Sequence, residues 1–159
     1  MPIRKTNILD AKAIQSLINE SGKAQEVLPR SINDIYEHIR DFFVFSKNKK
    51  IIGCCALHIA WEDLAEIRSL VVKSGSRGNG IGRELIVACL KEARELKIKK
   101  LFLLTGKPDF FRKFGFYEIE KSLLPHKIWS DCTSCVLFPD CNEIAMIREF
   151  TTESTESTE

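Results

Sequence analysis

Apolar positions recur along this chain first at helical and then at strand spacing, and that alternation lays out its elements. Residues 2–7 are short and mixed and read as an edge strand. Asp10 suits the N-cap of a helix over 11–19, where Ala13, Ile14, Leu17 and Ile18 share a face and Ser21-Gly22 supplies the stop. Ser31 caps a second helix with Ile32, Ile35, Tyr36 and Ile39 on one side. Residues 42–45 and 51–60 read as a hairpin around the polar turn 47–50, and Leu64–Val72 follows as a third strand after the turn Trp61-Glu62-Asp63. Strict alternation there puts Ala65, Ile67, Ser69 and Val71 on one face and Leu64, Glu66, Arg68, Leu70 and Val72 on the other.

A glycine-rich loop, 73–82, leads into a strong helix over 83–96 with the stripe Leu85, Ile86, Cys89, Leu90, Ala93 and Leu96. Residues 101–105 read as a short buried strand, 108–114 as a short helix stopped by Gly115, and 116–119 and 143–150 as further strands. Between the last two, 120–142 is loop-like, and 151–159 repeats Thr-Glu-Ser as a solvated acidic tail. The order β-α-α-β-β-β-α-β-α-β-β predicts a single α+β domain over 1–150 with a mixed central sheet.

Composition narrows the function without naming it. A hydrophobic fraction of 44% in 159 residues suffices for one packed core. The net charge of +2 permits an anionic small molecule, but no concentrated basic face marks a nucleic-acid partner. No apolar run approaches the roughly 20 residues of a membrane span, and the start lacks the apolar centre of a signal peptide, so a cytoplasmic protein is expected. Six cysteines are then thiols or metal ligands rather than disulfides.

The candidate chemistry begins at Arg77-Gly78-Asn79-Gly80-Ile81-Gly82, between a strand and a helix. Glycines let a backbone approach a ligand closely, and a helix start offers unpaired N–H groups, so a diphosphate is the natural guest; an ordinary tight turn is the alternative. No Gly-Lys-Ser/Thr follows, which excludes a P-loop, and the third glycine comes one residue early for a dinucleotide fingerprint.

The longer string decides between these. Glu66-Ile67-Arg68-Ser69-Leu70-Val71-Val72, then Arg77-x-x-Gly80-x-Gly82, and later Phe110-Phe111-Arg112-Lys113-Phe114-Gly115-Phe116 resemble motifs A and B of the GNAT superfamily of N-acetyltransferases. The resemblance implies a GNAT fold with Leu64–Val72 and 101–105 as splayed parallel strands and acetyl-CoA in the gap between them. It implies that Leu70, Val71 and Val72 pair with the pantetheine and acetyl group, and that Arg77, Gly78, Asn79, Gly80, Ile81, Gly82 and Arg83 hold the pyrophosphate.

Glu66 stands where related enzymes carry a catalytic Glu and is the candidate base; its alternative is a salt bridge with Arg68 on the same side of the strand. Most relatives have Tyr where this chain has Phe111, and a phenyl ring donates no proton, so Thr105 or solvent is left as the acid and Phe111 packs near the coenzyme.

The Phe-Phe variant, with Leu124-Pro125-x-Lys127-x-Trp129 and Leu28-Pro29-Arg30-Ser31, is similar to the acetyltransferase module of bacterial N-acetylglutamate synthase in its short stand-alone form. That resemblance implies acetylation of the α-amine of glutamate, in arginine biosynthesis. Leu28 and Arg30 would lie in the substrate loop, Arg30 paired with the α-carboxylate and Arg68 and Lys127 as further cations. A basic Arg-Arg-Ser segment of the longer synthases has no counterpart, since Cys141-Asn142-Glu143 stands in its place. Alternatives are another small amine or a protein N-terminus as acceptor, or a non-catalytic acyl-CoA-binding module, and a homodimer is open. Cys132-x-x-Cys135 with Cys141 and His126 forms a candidate structural zinc site, against three reduced thiols in a compact loop. Cys54, Cys55 and Cys89 read as core residues, His38 as a solvated helix residue, His58 as packed, and Trp61 as a wall or packing residue.

Overall fold

The computed structural model describes residues 2–23, 30–124 and 143–150. Its strands are β1 Ile3–Lys5, β2 Phe42–Lys47, β3 Lys50–Trp61, β4 Leu64–Val72, β5 Lys100–Thr105, β6 Tyr117–Ile119 and β7 Ile144–Glu149. Its α-helices are α1 Ala11–Lys23, α2 Ile32–Glu37, α3 Ile81–Glu95 and α4 Pro108–Arg112. This is the expected order of elements. The strands form one seven-stranded sheet in the order β1-β2-β3-β4-β5-β7-β6. Among the described strands only β4 and β5 run parallel. The expectations on Leu28, on the loop around Pro125 to Cys141, and on the tail 151–159 lie outside the described residues.

Two apolar layers cover the sheet. One face packs Leu85, Ile86, Cys89 and Leu90 of α3 on Cys55, Leu57, Ala65 and Ile67, and is closed by Phe111, Phe114 and Phe116. The other packs Ile14, Leu17 and Ile18 of α1 and Ile35 of α2 on Phe42, Val44, Cys54, Ala56 and Val71. Each helix buries its apolar stripe and leaves the polar one to solvent, which is what the sequence period demands.

Local chemistry moves two helix boundaries. Asp10 is not the N-cap: Asn7 caps a 3-10 turn, Ile8–Asp10, with Asp10 accepting from the Asn7 N–H in a capping box. Asp10 is thereby free to take a bidentate pair from Arg4, at 2.8 and 2.9 Å, and that bond holds its carboxyl below the usual range. α1 also runs through Ser21-Gly22 to Lys23 rather than stopping there. α3 begins at Ile81, so Gly82 lies in its first turn and not in the loop.

The correction with most consequence is in β4. Its alternation holds from Leu64 to Arg68 and then breaks. The β3–β4 register shifts between Cys54 and Ala56, where Ser69 and Leu70 together oppose Cys55. Ser69 takes φ 57°, in the left-handed region. A bulge of this kind turns every later side chain over. Val71 therefore packs with α1 and α2, while Leu70 and Val72 join the α3 layer, the reverse of strict alternation.

A β-branched side chain is excluded from the left-handed region that Ser69 occupies. Both Ser69→Val and Ser69→Gly lose the hydroxyl, but Ser69→Val should lower stability by about 1–2 kcal/mol more than Ser69→Gly in urea unfolding. Equal losses from the two would show that backbone conformation is not what selects the residue here.

Candidate active site

The parallel β4–β5 ladder runs over three residue pairs, Leu64–Lys100, Ala65–Leu101 and Glu66–Phe102, and stops. Beyond it β5 stays with β7 while β4 stays with β3, so the two central strands part and open a gap. Lys73 donates its N–H to Ile52 across the β3–β4 ladder. Backbone groups reverse direction from one residue to the next, so those of Val72 face the gap. There the Val72 carbonyl accepts from Arg77 Nε at 3.1 Å. By the same alternation the backbone groups of Val71 face β3, and the gap-facing carbonyl of Val72 is already occupied by Arg77.

The glycine loop lies at the end of this gap. Gly78 (φ 86°) and Gly80 (φ 79°) both take the left-handed conformation, Gly80 as the N-cap of α3. An added Cβ at either meets nothing within 4 Å, so the surface above the loop is open. Asn79 ties the loop to itself through Ser76 O, at 3.2 Å. The backbone N–H of Glu84 is satisfied by Gly80 O, which leaves the earlier amides of the first turn, Ile81 to Arg83, to an outside acceptor. An open, glycine-lined helix start beside an unpaired strand edge fits the diphosphate and amide-bearing arm of a coenzyme A thioester.

Phe111 is not at this surface. It is buried in the α3 layer, edge-on to Phe110 and Phe116. The ring that reaches the first turn of α3 is Phe110, whose Cζ lies 3.5 Å from the position a Cβ on Gly82 would take. Phe111 thus fills the core, and its neighbour Phe110 is the ring set against the start of α3.

Glu66 and Arg68 project from the α1–α2 face of β4. Arg68 Nε and Nη2 both donate to Glu66 Oε1, at 3.1 and 2.8 Å, so the salt bridge anticipated as the alternative is present. Among the described residues Oε2 carries no hydrogen bond, which leaves that oxygen as an acceptor. The Glu66 side chain is 14% exposed.

Arg30 approaches the same face and is 9% exposed, so it is not a solvated residue at a helix start. Its backbone is tied to α1, donating to Asn19 Oδ1 at 3.1 Å and accepting from Gln15 at 3.4 Å. Its guanidinium lies over the Phe42 ring, donates through Nε to Asp34 at 2.6 Å, and through Nη1 to Ser69 Oγ at 3.1 Å. The bond from Arg30 holds the Asp34 carboxyl below its usual range despite partial burial. Among the described residues Nη2 is buried with no hydrogen-bond partner. A buried unsatisfied guanidinium nitrogen costs free energy until an acceptor meets it.

Thr105, buried at the end of β5, accepts from the Lys107 N–H at 2.8 Å and keeps its own proton. Alternation along β5 puts it on the α3 face, opposite Glu66. Leu28, Lys127 and the proposed zinc ligands His126, Cys132, Cys135 and Cys141 lie outside the described residues. No group of three His, Cys, Asp or Glu among the described residues is placed to hold a metal. Cys54, Cys55 and Cys89 are buried free thiols, as expected. Burial pushes Cys54 up to about 12, and the bond from Cys89 together with burial raises Cys55 well above the ordinary range.

Several residues escaped the sequence reading. Ser69 and Asp34 orient Arg30. His38 is no solvated helix residue: its Nδ1 bonds Asp34, and its ring meets His58 edge-on at 5.1 Å. His58 in turn bonds Asp41 at 2.9 Å. The Asp34-x-x-x-His38 spacing was a usable signal for one pair; the contact with β3 was not visible locally. Trp61, read as a wall or packing residue, is 62% exposed.

The model of the acetyltransferase (GNAT) family matches residues 11–116. An uncharacterised N-acetyltransferase of Chlorobaculum tepidum is 41% identical over 146 residues, covering 92% of this chain and 94% of that protein. An amino-acid acetyltransferase of Mycobacterium tuberculosis is 32% identical over 133 residues, 81% of this chain and 75% of its own length. The crystal structure of N-acetylglutamate synthase from Neisseria gonorrhoeae, complexed with coenzyme A and N-acetyl-glutamate, superposes with a TM-score of 0.84 at 26% identity, over 94% of this chain and 35% of that one. The parted strands and open glycine loop meet the expectation drawn from the two motifs: this chain belongs to the acetyltransferase (GNAT) family, and its acyl donor is acetyl-CoA.

Proposed function

We propose that the protein acetylates the α-amine of a free amino acid, L-glutamate above others, and so supplies N-acetylglutamate for arginine biosynthesis in the cytoplasm. The observation that carries this reading is Arg30: a buried guanidinium anchored by Asp34, Ser69 and the Phe42 ring, with Nη2 unsatisfied among the described residues, on the sheet face that bears Glu66. A carboxylate is the acceptor that such a nitrogen takes best. An α-carboxylate on Arg30 fixes the position of the α-amine next to it, which a polyamine, repelled by the same cation, has no means to match. The relatives named as amino-acid acetyltransferases support the same substrate class.

Bound acetyl-CoA supplies an activated acetyl thioester. This chain's part is to bind, orient and move protons. The amides from Gly78 to Arg83 cradle the diphosphate, and the gap-facing backbone of Leu70 and Val72 steers the pantetheine arm. Glu66 Oε2 takes the proton that leaves the acceptor's ammonium, while Arg68, on Oε1, fixes the carboxylate's rotamer. Thr105, one oxygen lone pair engaged by the Lys107 N–H, gives its hydroxyl proton to the departing thiolate as a proton from water replaces it, so S–H forms while the Thr105 O–H is restored. Lys127, with Arg68, is the proposed partner of the side-chain carboxylate that separates glutamate from neutral amino acids.

Glu66→Gln should lower kcat by about 10²–10⁴-fold while coenzyme A affinity, measured by calorimetry, stays within twofold. Retained turnover would remove Glu66 as the base. Arg30→Glu should raise the amino-acid KM by at least about 100-fold and leave acetyl-CoA binding intact, since it exchanges attraction for repulsion at the carboxylate. The measurement is thiol release from acetyl-CoA with L-glutamate, L-aspartate, L-glutamine and spermidine as acceptors. An unchanged KM takes Arg30 out of the site, and spermidine as the best acceptor overturns the amino-acid reading.

A further inference from the structure

His58 has so far no part in the reaction, yet it is the cross-strand partner of Glu66 in the β3–β4 ladder. Directly opposed side chains on one face have Cβ atoms about 4.5–5.5 Å apart. The face is shared: His58 alternates with Leu57, which packs under α3, just as Glu66 alternates with Ala65 and Ile67. His58 Nδ1 lies 2.9 Å from Asp41 Oδ2. A carboxylate in that position holds the neutral imidazole with its proton on Nδ1 and leaves the Nε2 lone pair as acceptor.

The charged and titratable groups around the ring come from every element packed on it. Asp41 arrives from the 3-10 turn Ile39–Asp41, His38 and Asp34 from α2 and its C-cap, and Glu66 and Arg68 from β4. His38 Nδ1 is itself engaged by the Asp34 carbonyl and carboxylate, at 2.9 and 3.0 Å. His38 meets the His58 ring edge-on at 5.1 Å but lies outside the β3–β4 ladder, so His58 and not His38 stands directly across from Glu66. The His58 side chain is 28% exposed, twice the 14% of Glu66.

A base that takes a proton in each turnover must release it before the next. Glu66 is largely withdrawn from water, and Arg68 blocks one of its oxygens. We propose that His58, oriented by Asp41, discharges Glu66. The N–H bond of the acceptor ammonium breaks as O–H forms on Glu66 Oε2. That O–H then breaks as Nε2–H forms on His58, and the imidazolium, held by Asp41, gives a proton to bulk water. His58 acts through Glu66 and touches no reacting atom, so it is a positioning and relay residue. The inference rests on Glu66 being the base and adds where its proton goes.

The test is steady-state kinetics across about pH 5.5–9.5 with the best acceptor of the panel above, on folded variants checked by near-UV circular dichroism. His58→Gln should lower kcat about 10–100-fold near neutrality, leave acceptor KM and coenzyme affinity within twofold, and abolish the acid limb of the kcat profile. Asp41→Asn keeps the ring but replaces the carboxylate that holds Nδ1–H with an amide, so it should lower kcat about 3–10-fold with acceptor KM within twofold. Added imidazole should restore turnover to His58→Ala. A wild-type pH profile in His58→Gln, a loss confined to KM, or no recovery with imidazole each overturns the relay. An inactive Glu66→Gln beside an unaltered His58→Gln sinks the relay alone, whereas an active Glu66→Gln sinks the base on which it rests.

Discussion

Everything at this site depends on a ladder that ends early. Three parallel pairs hold β4 to β5, and past Glu66–Phe102 each strand keeps only its antiparallel neighbour. Unpaired backbone in a sheet's middle is costly unless something else bonds it. Part of that demand is met internally, by Arg77 on Val72 O. The remainder is an edge that an amide-bearing ligand can join as though it were another strand, which is strand addition performed at a sheet's centre rather than its rim. The glycine loop follows from the same break, because β4, freed from β5, delivers the chain to α3 at the mouth of the gap.

The bulge at Ser69 links that gap to the opposite face. Without the extra residue, Val71 would point into the α3 layer and the Ser69 hydroxyl would not meet Arg30. One left-handed residue thereby sets both the packing of the strand's last turn and the aim of a guanidinium from another element. Arg30 is held by α1, α2, β2 and β4 together, so its conformational entropy is spent on folding rather than on binding.

Much of this was legible in the sequence, for local reasons. The apolar stripes of α1 and α3 and the order of strands follow from period alone, and Glu66 beside Arg68 follows from alternation over five residues. Alternation failed beyond Arg68 because a bulge is decided by the partner strand, here the side of Cys55, and not by β4. Asp10 looked like a cap because its type suits one; the better cap, Asn7, left it to pair with Arg4. Phe110 and Phe111 are identical in kind, and only the packing of α4 on the sheet says which ring enters the core. His38 and His58 are 20 positions apart and meet across two elements, so no window along the chain contains their contact.

Cys54 sits directly beneath the bulge, its Sγ donating to Ser69 O at 3.4 Å. A thiol in an enzyme that handles a thioester invites exchange, in which the acetyl group would migrate to the protein and stay there. Thiolate is the species that attacks, and with the pKa at about 12 only on the order of one Cys54 in 10⁵ carries that charge at neutral pH. The desolvation that makes this cysteine good packing also makes it chemically deaf to the acyl donor, so the enzyme is protected from acylating itself by the same burial that builds its core.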